Sequence, residues 1–427
     1  MPAPTDRRTF LKATLATGLC GLVRATAPAA STAGVPGGDW VEAVRAELPG
    51  MKHSRGYFQT GAFGLSPQRV MDRAKELIDR QNLGPAHPDQ TSYLKHVEQE
   101  CRELVAKTFG ANPAEVALTA NTTTGLNTVL WSIDWQAGDE LIISDEEHPG
   151  LLLPCCNLVR RFGITLKQVP LARQALVVDE VVSRLTPRTR LVALSHVSRG
   201  SGAVAPVAAL AAALRPRGVR LLLDGAQGPG NVPVDFHGLG CDYYSLCGHK
   251  WLLGPKSTGA LLVRTDVLES TTPSWTGSNA QASLDESAQR FEWHSDARRY
   301  EFSTRFVAGL GGWHEALRWL DGLGWDRIRA RQAELSSYAG EAIKATCGLE
   351  LVSPEDPAQR NGLVVLRLPE GFKAADFYER LRKEDNILVS PVAAQRDLRL
   401  SVHFYNTKEE IDLVLERTAA YCAKPAQ

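Results

Sequence analysis

Short apolar runs alternate with helical patterns through the middle of the chain. The apolar runs are rich in Val, Ile and Leu, and they predict strands at 116–118, 140–143, 165–169, 191–194, 219–223 and 259–263. Between several of these runs, apolar positions repeat at helical spacing, at 125–133, 178–185 and 207–215. Strand and helix in alternation predict a mostly parallel sheet in an α/β domain.

Different patterns flank this region. Helices are predicted before it at 43–48, 67–81 and 91–109. After it, the pattern predicts two helices and then two strands, at 310–323, 325–346, 362–367 and 398–403, which indicates a smaller α+β domain. The polar segment 271–298 is weakly periodic and predicts a long loop or a subunit contact. The resulting division is an N-terminal arm of the small domain at 31–60, a large domain at 61–308 and a small C-terminal domain at 309–427.

The first thirty residues, 1–30, have the pattern of an export signal. Residues 7–12 are Arg-Arg-Thr-Phe-Leu-Lys, a weakly apolar run follows at 13–23, and small residues dominate 25–30. The paired arginines resemble a bacterial twin-arginine (Tat) signal, which predicts recognition by the twin-arginine export machinery and a periplasmic location. An ordinary basic N-terminus is the alternative explanation.

Composition excludes some classes of protein without indicating a chemistry. The chain has 48 Lys and Arg against 48 Asp and Glu, a balance that argues against a nucleic-acid binder. The sequence contains no uninterrupted stretch of 18 apolar residues, so it predicts no membrane-spanning helix. Eight Cys in 427 residues are too few for a disulfide framework. Removal of 1–30, which carries a net charge of +3, would leave the mature chain near −3.

Two separate stretches carry the strongest chemical signal. A buried type of strand ends at Asp224, which places a carboxylate at the carboxyl edge of the sheet, where open α/β folds bind ligands. Lys250 lies in a Gly-punctuated loop between His249 and Trp251. Pyridoxal 5'-phosphate (PLP) chemistry needs both parts, a lysine to form a Schiff base and an acid to keep the pyridine nitrogen protonated. Taken alone, Asp224 would be explained as a turn cap and Lys250 as a surface charge.

Together these stretches resemble the class V aminotransferase family of fold type I PLP enzymes. The matching motifs are Asp224-x-x-Gln227 and the His-Lys-Trp sequence around Lys250, with Gly254-Pro255 after it. The resemblance implies a large cofactor-binding domain with a mostly parallel sheet plus a smaller α+β C-terminal domain. It also implies a homodimeric PLP-dependent transferase in which Lys250 is catalytic and holds the cofactor, with Asp224 and Gln227 as cofactor ligands.

Further cofactor contacts follow from the same resemblance. Thr122 and Thr123 match the phosphate-binding turn, where a helix N-terminus and hydroxyls provide an anion site. By itself, a Thr-rich turn would be explained as a helix cap. His148 matches the residue that stacks on the cofactor ring, and His249 is a further cofactor contact. Thr304 matches the residue that reaches the phosphate of the partner subunit across a dimer interface.

The chain departs from the pattern of the family it resembles at two positions. An Asn that the family commonly carries near Arg199 is missing. The resemblance therefore leaves Gln227 alone to contact the phenolic oxygen of the cofactor. Arg199 is assigned either to the substrate or to a phosphate. Cys247 replaces a phosphate-binding Ser of desulfurase-like relatives and is a much weaker donor. Ser245 or His249 is expected to compensate for that loss.

The predicted small domain supplies the substrate contact. Arg399 begins a motif whose Arg binds the substrate carboxylate in relatives, and a guanidinium suits bidentate binding of that group. No metal-binding motif and no Gly-x-Ser-x-Gly elbow occurs in the sequence. Cysteine desulfurases carry a nucleophilic Cys before this Arg, and none occurs between Ile387 and Arg399, which disfavours that branch of the family.

The overall pattern resembles the isopenicillin N epimerase-like subgroup more than the desulfurases. Together with export, it suggests a periplasmic enzyme of pyoverdine siderophore biosynthesis, acting on the side-chain glutamate of the precursor. Transamination, epimerisation, β-elimination and oxidative decarboxylation use the same residues, so an epimerase or C-S lyase of the same fold remains open. A non-catalytic exported binding protein is the alternative from another class.

Overall fold

The computed structural model describes residues 40–84, 86–171, 177–356, 359–392 and 395–423. The predicted export signal at 1–30 and the start of the predicted N-terminal arm lie outside these residues. Among the helices that are described, none is both long and apolar enough to cross a membrane.

Helices and strands alternate along most of the described chain. The α-helices are α1 Trp40–Ala46, α2 Gln68–Gln81, α3 Pro88–Thr108, α4 Thr122–Trp131, α5 Pro149–Phe162, α6 Val178–Val182, α7 Val207–Leu214, α8 Phe236–Leu239, α9 Val307–Leu323, α10 Trp325–Ala345, α11 Ala374–Arg380 and α12 Lys408–Ala423. The strands are β1 Gly56–Tyr57, β2 Val116–Thr119, β3 Glu140–Ser144, β4 Thr165–Val169, β5 Thr189–Ser195, β6 Arg220–Asp224, β7 Tyr243–Cys247, β8 Gly259–Val263, β9 Gln281–Asp285, β10 Arg290–Trp293, β11 Glu350–Leu351, β12 Leu363–Arg367, β13 Ile387–Leu388, β14 Ser390–Pro391 and β15 Asp397–Ser401.

Seven strands form the central sheet, in the spatial order β2-β8-β7-β6-β5-β3-β4. Strands β7, β6, β5, β3 and β4 are parallel to one another, whereas β8 is antiparallel to both of its neighbours. The predicted mostly parallel α/β sheet is therefore confirmed. Because β2 runs in the same direction as β7, the carboxyl ends of β2, β3, β5, β6 and β7 all lie at one edge.

Side chains of the central strands are buried on both faces of the sheet. Along β6, Leu221 and Leu223 belong to one apolar cluster and Leu222 to another. This double burial explains the continuous apolar runs in the sequence. Each fully buried Leu contributes about 1.5–3 kcal/mol relative to an exposed one.

The structure also contains elements that the sequence pattern does not predict. β7 is a buried central strand, and α5 follows β3 despite an internal Pro154. In the segment 271–298, which is predicted as a loop, β9 and β10 form an antiparallel hairpin. The side chains of this hairpin are mostly exposed, so its strands lack the apolar run by which a buried strand is recognised.

A smaller antiparallel sheet has the order β11-β12-β15-β14. The N-terminal segment packs against it. Its β1 pairs with β13 in a separate two-stranded sheet, Gln59 forms a β-bridge to Ser401 of β15, and Phe58 lies in the apolar core of the smaller sheet. Helix α9 contributes Leu310 and Trp313 to the apolar cluster on one face of the large sheet. The domain boundaries themselves remain predictions.

Candidate active site

A cavity of about 980 Å³ opens at the carboxyl edge of the central sheet. It brings together residues that lie far apart in the sequence, on loops that follow β2, β3, β5, β6 and β7 and on the smaller sheet. Of the residues predicted to bind cofactor or substrate, those lining the cavity are Thr122, Thr123, His148, Arg199, Asp224, Gln227, Cys247, His249, Lys250 and Arg399.

Asp224 ends β6 at the base of the cavity. Its carboxylate is only 5% exposed and accepts one backbone hydrogen bond, from the Ala226 N–H at 2.9 Å. Burial raises the pKa of this carboxyl, while the charge of Lys250 lowers it. A buried carboxylate with a single backbone donor is suited to bind a cationic group.

Lys250 follows β7 and extends into the cavity. Among the described residues, its amine has no hydrogen-bond or ion-pair partner. Its backbone is held closely by the N-terminal segment, because the Gly64 N–H donates to the His249 carbonyl at 2.8 Å. A Cβ at Gly64 would lie 2.0 Å from the Lys250 carbonyl oxygen, so only glycine permits this approach. The lysine loop is thus fixed while its amine is left available.

The N-terminus of α4 provides an anion site beside the lysine. The Asn121 side chain caps this helix by accepting the Thr124 N–H at 2.9 Å, and the first N–H groups of a helix have no partner within it. The Thr122 hydroxyl and the Nδ1 atom of His249 are buried without a hydrogen-bond partner. Such unpaired polar groups fit an anionic ligand, such as a phosphate, placed at this helix end.

Two neighbouring residues on β7 differ in what they offer such a ligand. Burial raises the pKa of the Cys247 thiol, which lines the cavity as a neutral and weak donor. The Ser245 hydroxyl donates to the Thr122 carbonyl at 2.8 Å and does not line the cavity. The expectation that Ser245 compensates for Cys247 is therefore wrong, because its hydroxyl is already used within the protein. His249 remains the candidate.

His148 caps α5 at the lining of the cavity. Its Nδ1 atom accepts the Gly150 N–H at 2.9 Å, which fixes the ring. Burial, followed by the charges of Lys250, Arg199 and Arg399, lowers the pKa of His148 to about 4. The ring is therefore neutral at physiological pH, and an uncharged flat ring is suited to stack on another aromatic ring.

Gln227 is held on both sides of its amide. Its Nε2 atom donates to the Gly61 carbonyl at 2.8 Å, and its Oε1 atom accepts from the Trp251 indole at 2.8 Å. The Trp251 carbonyl in turn accepts from His403 at 3.0 Å. One N–H of Gln227 is left for a ligand. The positioning roles of Gly61 and Trp251 are not evident from the sequence, although Trp251 directly follows the lysine.

Arg399 lies on β15, is only 6% exposed and has no carboxylate partner within the described residues. It makes two long hydrogen bonds of 3.4 Å, to the Arg199 carbonyl and to the Ser390 hydroxyl, and its Nε is unpaired. Burial, with repulsion from Arg199, lowers the pKa of Arg399 to about 10. A buried guanidinium of this kind is suited to bind an incoming carboxylate.

Thr304 does not line the main cavity. It lies at an adjacent depression of about 190 Å³, next to Glu301. The segment is anchored by a buried ion pair between Arg102 and Glu301 at 2.6 Å, and Glu301 also accepts the Leu118 N–H at 2.7 Å. The role of Thr304 across a dimer interface stays a prediction.

Aromatic side chains from four separate segments also line the cavity, and sequence reasoning does not find them. They are Phe63, Trp275, Phe302 and Tyr378. Phe302 lies two residues before Thr304 in a matched segment but is not itself assigned a role, and the other three lie outside the matched motifs. Only the folded chain therefore reveals that the four share a site.

Comparisons with known proteins agree on the family. The family described as "Aminotransferase class-V" matches residues 56–414. Isopenicillin N epimerase from Streptomyces clavuligerus is 34% identical over 330 residues, which cover 73% of this chain and 81% of that protein. A cysteine desulfurase from Klebsiella pneumoniae is 30% identical over 397 residues, covering 87% of this chain and 96% of its own length. Among solved structures, a C-DES mutant with glycine covalently linked to the PLP cofactor matches with a TM-score of 0.83 at 28% identity, over 88% of this chain and 98% of that one.

Proposed function

The chain belongs to the class V aminotransferase family of PLP-dependent enzymes, and we propose that it acts at the α-carbon of an amino-acid-like substrate. One observation carries the proposal: the unpaired amine of Lys250 shares a large cavity with the buried carboxylate of Asp224. When bound, PLP supplies an electron sink for negative charge that develops at the α-carbon of an amino acid.

The described residues fit this cofactor. The N-terminus of α4 and the unpaired hydroxyl of Thr122 would bind the phosphate. Asp224 would hold the protonated ring nitrogen, and the neutral ring of His148 would cover the pyridine face. Gln227 would direct its remaining N–H to the phenolic oxygen. Lys250 would hold the cofactor covalently through its amine.

The side chains that line the cavity have different roles in binding the substrate and in the reaction. Arg399 binds the α-carboxylate and orients the α-carbon, since its guanidinium is buried without an internal counter-ion. The amine of Lys250, once free, removes and returns the proton on that carbon as a general base. The buried position of Asp224 strengthens its electrostatic interaction with a cation, because the local dielectric is low.

We propose only the first chemical step, that is, which bond of the α-carbon breaks. Transamination, epimerisation and β-elimination all begin with removal of the α-proton, whereas oxidative decarboxylation breaks a different bond of the same carbon. The segment 388–398 contains no Cys, so the chain lacks the thiol that a desulfurase would carry there. We therefore propose α-proton chemistry without sulfur transfer.

Location and substrate form a finer part of the proposal. The Arg-Arg-Thr-Phe-Leu-Lys sequence at 7–12 supports export to the periplasm by the twin-arginine route. The cavity of about 980 Å³ lies at the upper end of small-molecule sites, which span about 300–1,000 Å³. It therefore has room for an amino acid attached to a larger group, and the proposed substrate is the glutamate side chain of a pyoverdine precursor.

The central proposal is tested on purified protein. We expect the visible absorption of lysine-bound PLP, and we expect Lys250→Ala to lose it while Lys256→Ala, at an exposed lysine nearby, keeps it. Candidate amino acids incubated in D₂O with the wild type should exchange their α-hydrogen, as followed by NMR. Bound PLP without exchange on any substrate would instead support a non-catalytic binding protein. A protein that cannot be loaded with PLP would refute both.

Export and substrate need separate experiments. Cell fractionation should find the wild-type protein in the periplasm, and Arg7→Lys with Arg8→Lys should retain it in the cytoplasm. Purified enzyme incubated with the glutamate-bearing siderophore precursor should change the precursor mass. An unchanged mass would exclude this substrate while leaving the α-carbon chemistry to be tested on others.

A further inference from the structure

We propose that Arg199 and Arg399 act as a pair that selects substrates carrying two carboxylates, that is, amino acids with an acidic side chain. This inference rests on the proposed α-carbon chemistry of the same cavity. It favours free acidic amino acids over a glutamate that is joined to a larger group through one of its carboxyl groups, so it competes with the pyoverdine substrate proposed above. Arg399 would bind one carboxylate and Arg199 the other. Arg199 thereby becomes a specificity-determining residue rather than a cofactor ligand.

The charges of the cavity are not balanced by its own residues. Three cationic side chains line it, those of Lys250, Arg199 and Arg399, and Asp224 is the one carboxylate among the described lining residues. His148 adds no charge, because its pKa is lowered to about 4 by burial. Neither arginine has an ion-pair partner in the described part of the chain. The PLP phosphate at the N-terminus of α4 would supply part of the missing negative charge, and a substrate would supply the rest at the two arginines.

The loop that carries Arg199 is fixed from both ends. At one end the Ser198 hydroxyl donates to the Glu146 carboxylate at 2.5 Å. At the other, the Gly202 carbonyl accepts from the Asn361 side chain at 2.7 Å, and Gly202 has a φ of +79° that favours glycine. A residue on a fixed loop loses little freedom when it binds a ligand, which favours selective binding.

The carboxylate closest to this loop does not serve as an internal counter-ion. Glu146 accepts hydrogen bonds from the Ser198 and Ser201 hydroxyls rather than from Arg199. Burial raises the pKa of the Glu146 carboxyl. The guanidinium of Arg199 is thus left facing the cavity near Arg399, and repulsion between the two contributes to the lowered pKa of Arg399.

The smaller sheet forms one side of the cavity and contributes Ser390 and Arg399 to its lining. The Arg399 Nη1 atom contacts the Arg199 carbonyl at 3.4 Å, next to Ser390 of the smaller sheet. Arg399 therefore lies beside Arg199 at the cavity wall, so that one substrate would meet both.

The inference is tested with unreactive ligands on the PLP-loaded protein. Isothermal titration would compare glutarate with pentanoate, which have the same number of carbons and differ in one carboxylate. A hydrogen bond to a charged group contributes enough for about a 10- to 100-fold difference in Kd. We expect glutarate to bind tighter by that factor, and Arg199→Gln to remove the preference while pentanoate affinity changes less than about 2-fold. Lys256→Gln, which removes an exposed cation outside the cavity lining, should keep the preference.

Three outcomes overturn the inference. Equal affinity of the wild type for glutarate and pentanoate would do so, as would an Arg199→Gln variant that keeps the full preference. A variant that loses PLP on gel filtration while it keeps the glutarate preference would assign Arg199 to the phosphate instead. Failure of the proposed function is distinguishable: a retained preference without any α-hydrogen exchange would refute the enzyme and leave the two-carboxylate site standing.

Discussion

Replacing Asp224 by asparagine removes one negative charge from the base of the cavity and leaves the shape nearly unchanged. The backbone bond should survive, because an asparagine Oδ1 atom can still accept the Ala226 N–H that lies 2.9 Å from the carboxylate. What is lost is the interaction with the protonated ring nitrogen of PLP. The substitution therefore separates the electrostatic role of Asp224 from its structural role.

The magnitude follows from the burial of this carboxylate, which is 5% exposed. A hydrogen bond to a charged group contributes about 1.5–3 kcal/mol, more than a neutral one. At about 1.36 kcal/mol per factor of ten, the rate of α-hydrogen exchange should fall by about 10- to 150-fold. The unfolding temperature should change little, because the Ala226 N–H keeps its acceptor and the new amide N–H₂ lines the cavity.

The assay is α-hydrogen exchange in D₂O, followed by NMR on PLP-saturated protein. Asp242→Asn is the matched control, since Asp242 is also a buried aspartate that accepts a backbone N–H, from Leu221 at 2.8 Å, but does not line the cavity. We expect the control to lower stability and to leave exchange within about 2-fold of the wild type. Unchanged exchange in the Asp224→Asn variant, with PLP still bound, would refute the assigned role.

Three further predictions test the framework around the site. Trp251→Phe removes the hydrogen bond to the buried Gln227 amide, so the free energy of unfolding should fall by about 1–3 kcal/mol in chemical denaturation. We expect kcat to fall as well, because the amide is no longer held in place. An unchanged kcat would show that the reaction does not depend on this hydrogen bond. Glu301→Gln leaves Arg102 buried without its counter-ion, which should cost about 3–5 kcal/mol of unfolding free energy, whereas a loss under 1 kcal/mol would contradict the buried pair. Burial raises the pKa of Glu147 from 4.5 to about 7. Because the folded protein holds this proton more tightly, the stability it contributes is present below pH 4.5 and is lost as pH rises towards 7, by about 3 kcal/mol at most. Glu147→Gln should flatten this dependence, and a slope identical to that of the wild type would refute it.

The alternation of apolar runs and helical patterns predicts most of the central sheet because its strands are buried on both faces. The pattern does not predict β7, because this strand contains Tyr243 and Tyr244 and leads into the lysine motif without a long aliphatic run. The pattern does not predict the β9–β10 hairpin either, because this hairpin has no buried face. Its side chains are exposed, and Leu284 and Phe291 pair across the hairpin without a buried face.

The motifs predict which residues meet in the cavity, because relatives of the same family carry them in the same order. They do not predict the contacts that the fold makes between distant segments. Gln227 is positioned by Gly61, which precedes it by 166 residues. The contact of Arg399 with the Arg199 carbonyl spans 200 residues. Such contacts depend on strand order and on packing of the smaller sheet, which no local pattern encodes.

The central claim is that Lys250 holds PLP in this cavity. The most direct measurement is reduction of the PLP-loaded protein with borohydride, followed by proteolysis and peptide mass spectrometry. We expect a phosphopyridoxyl group on Lys250 and none on Lys256, which is exposed nearby. A modification on any other lysine, or no modification of protein that had been loaded with PLP, would contradict this claim.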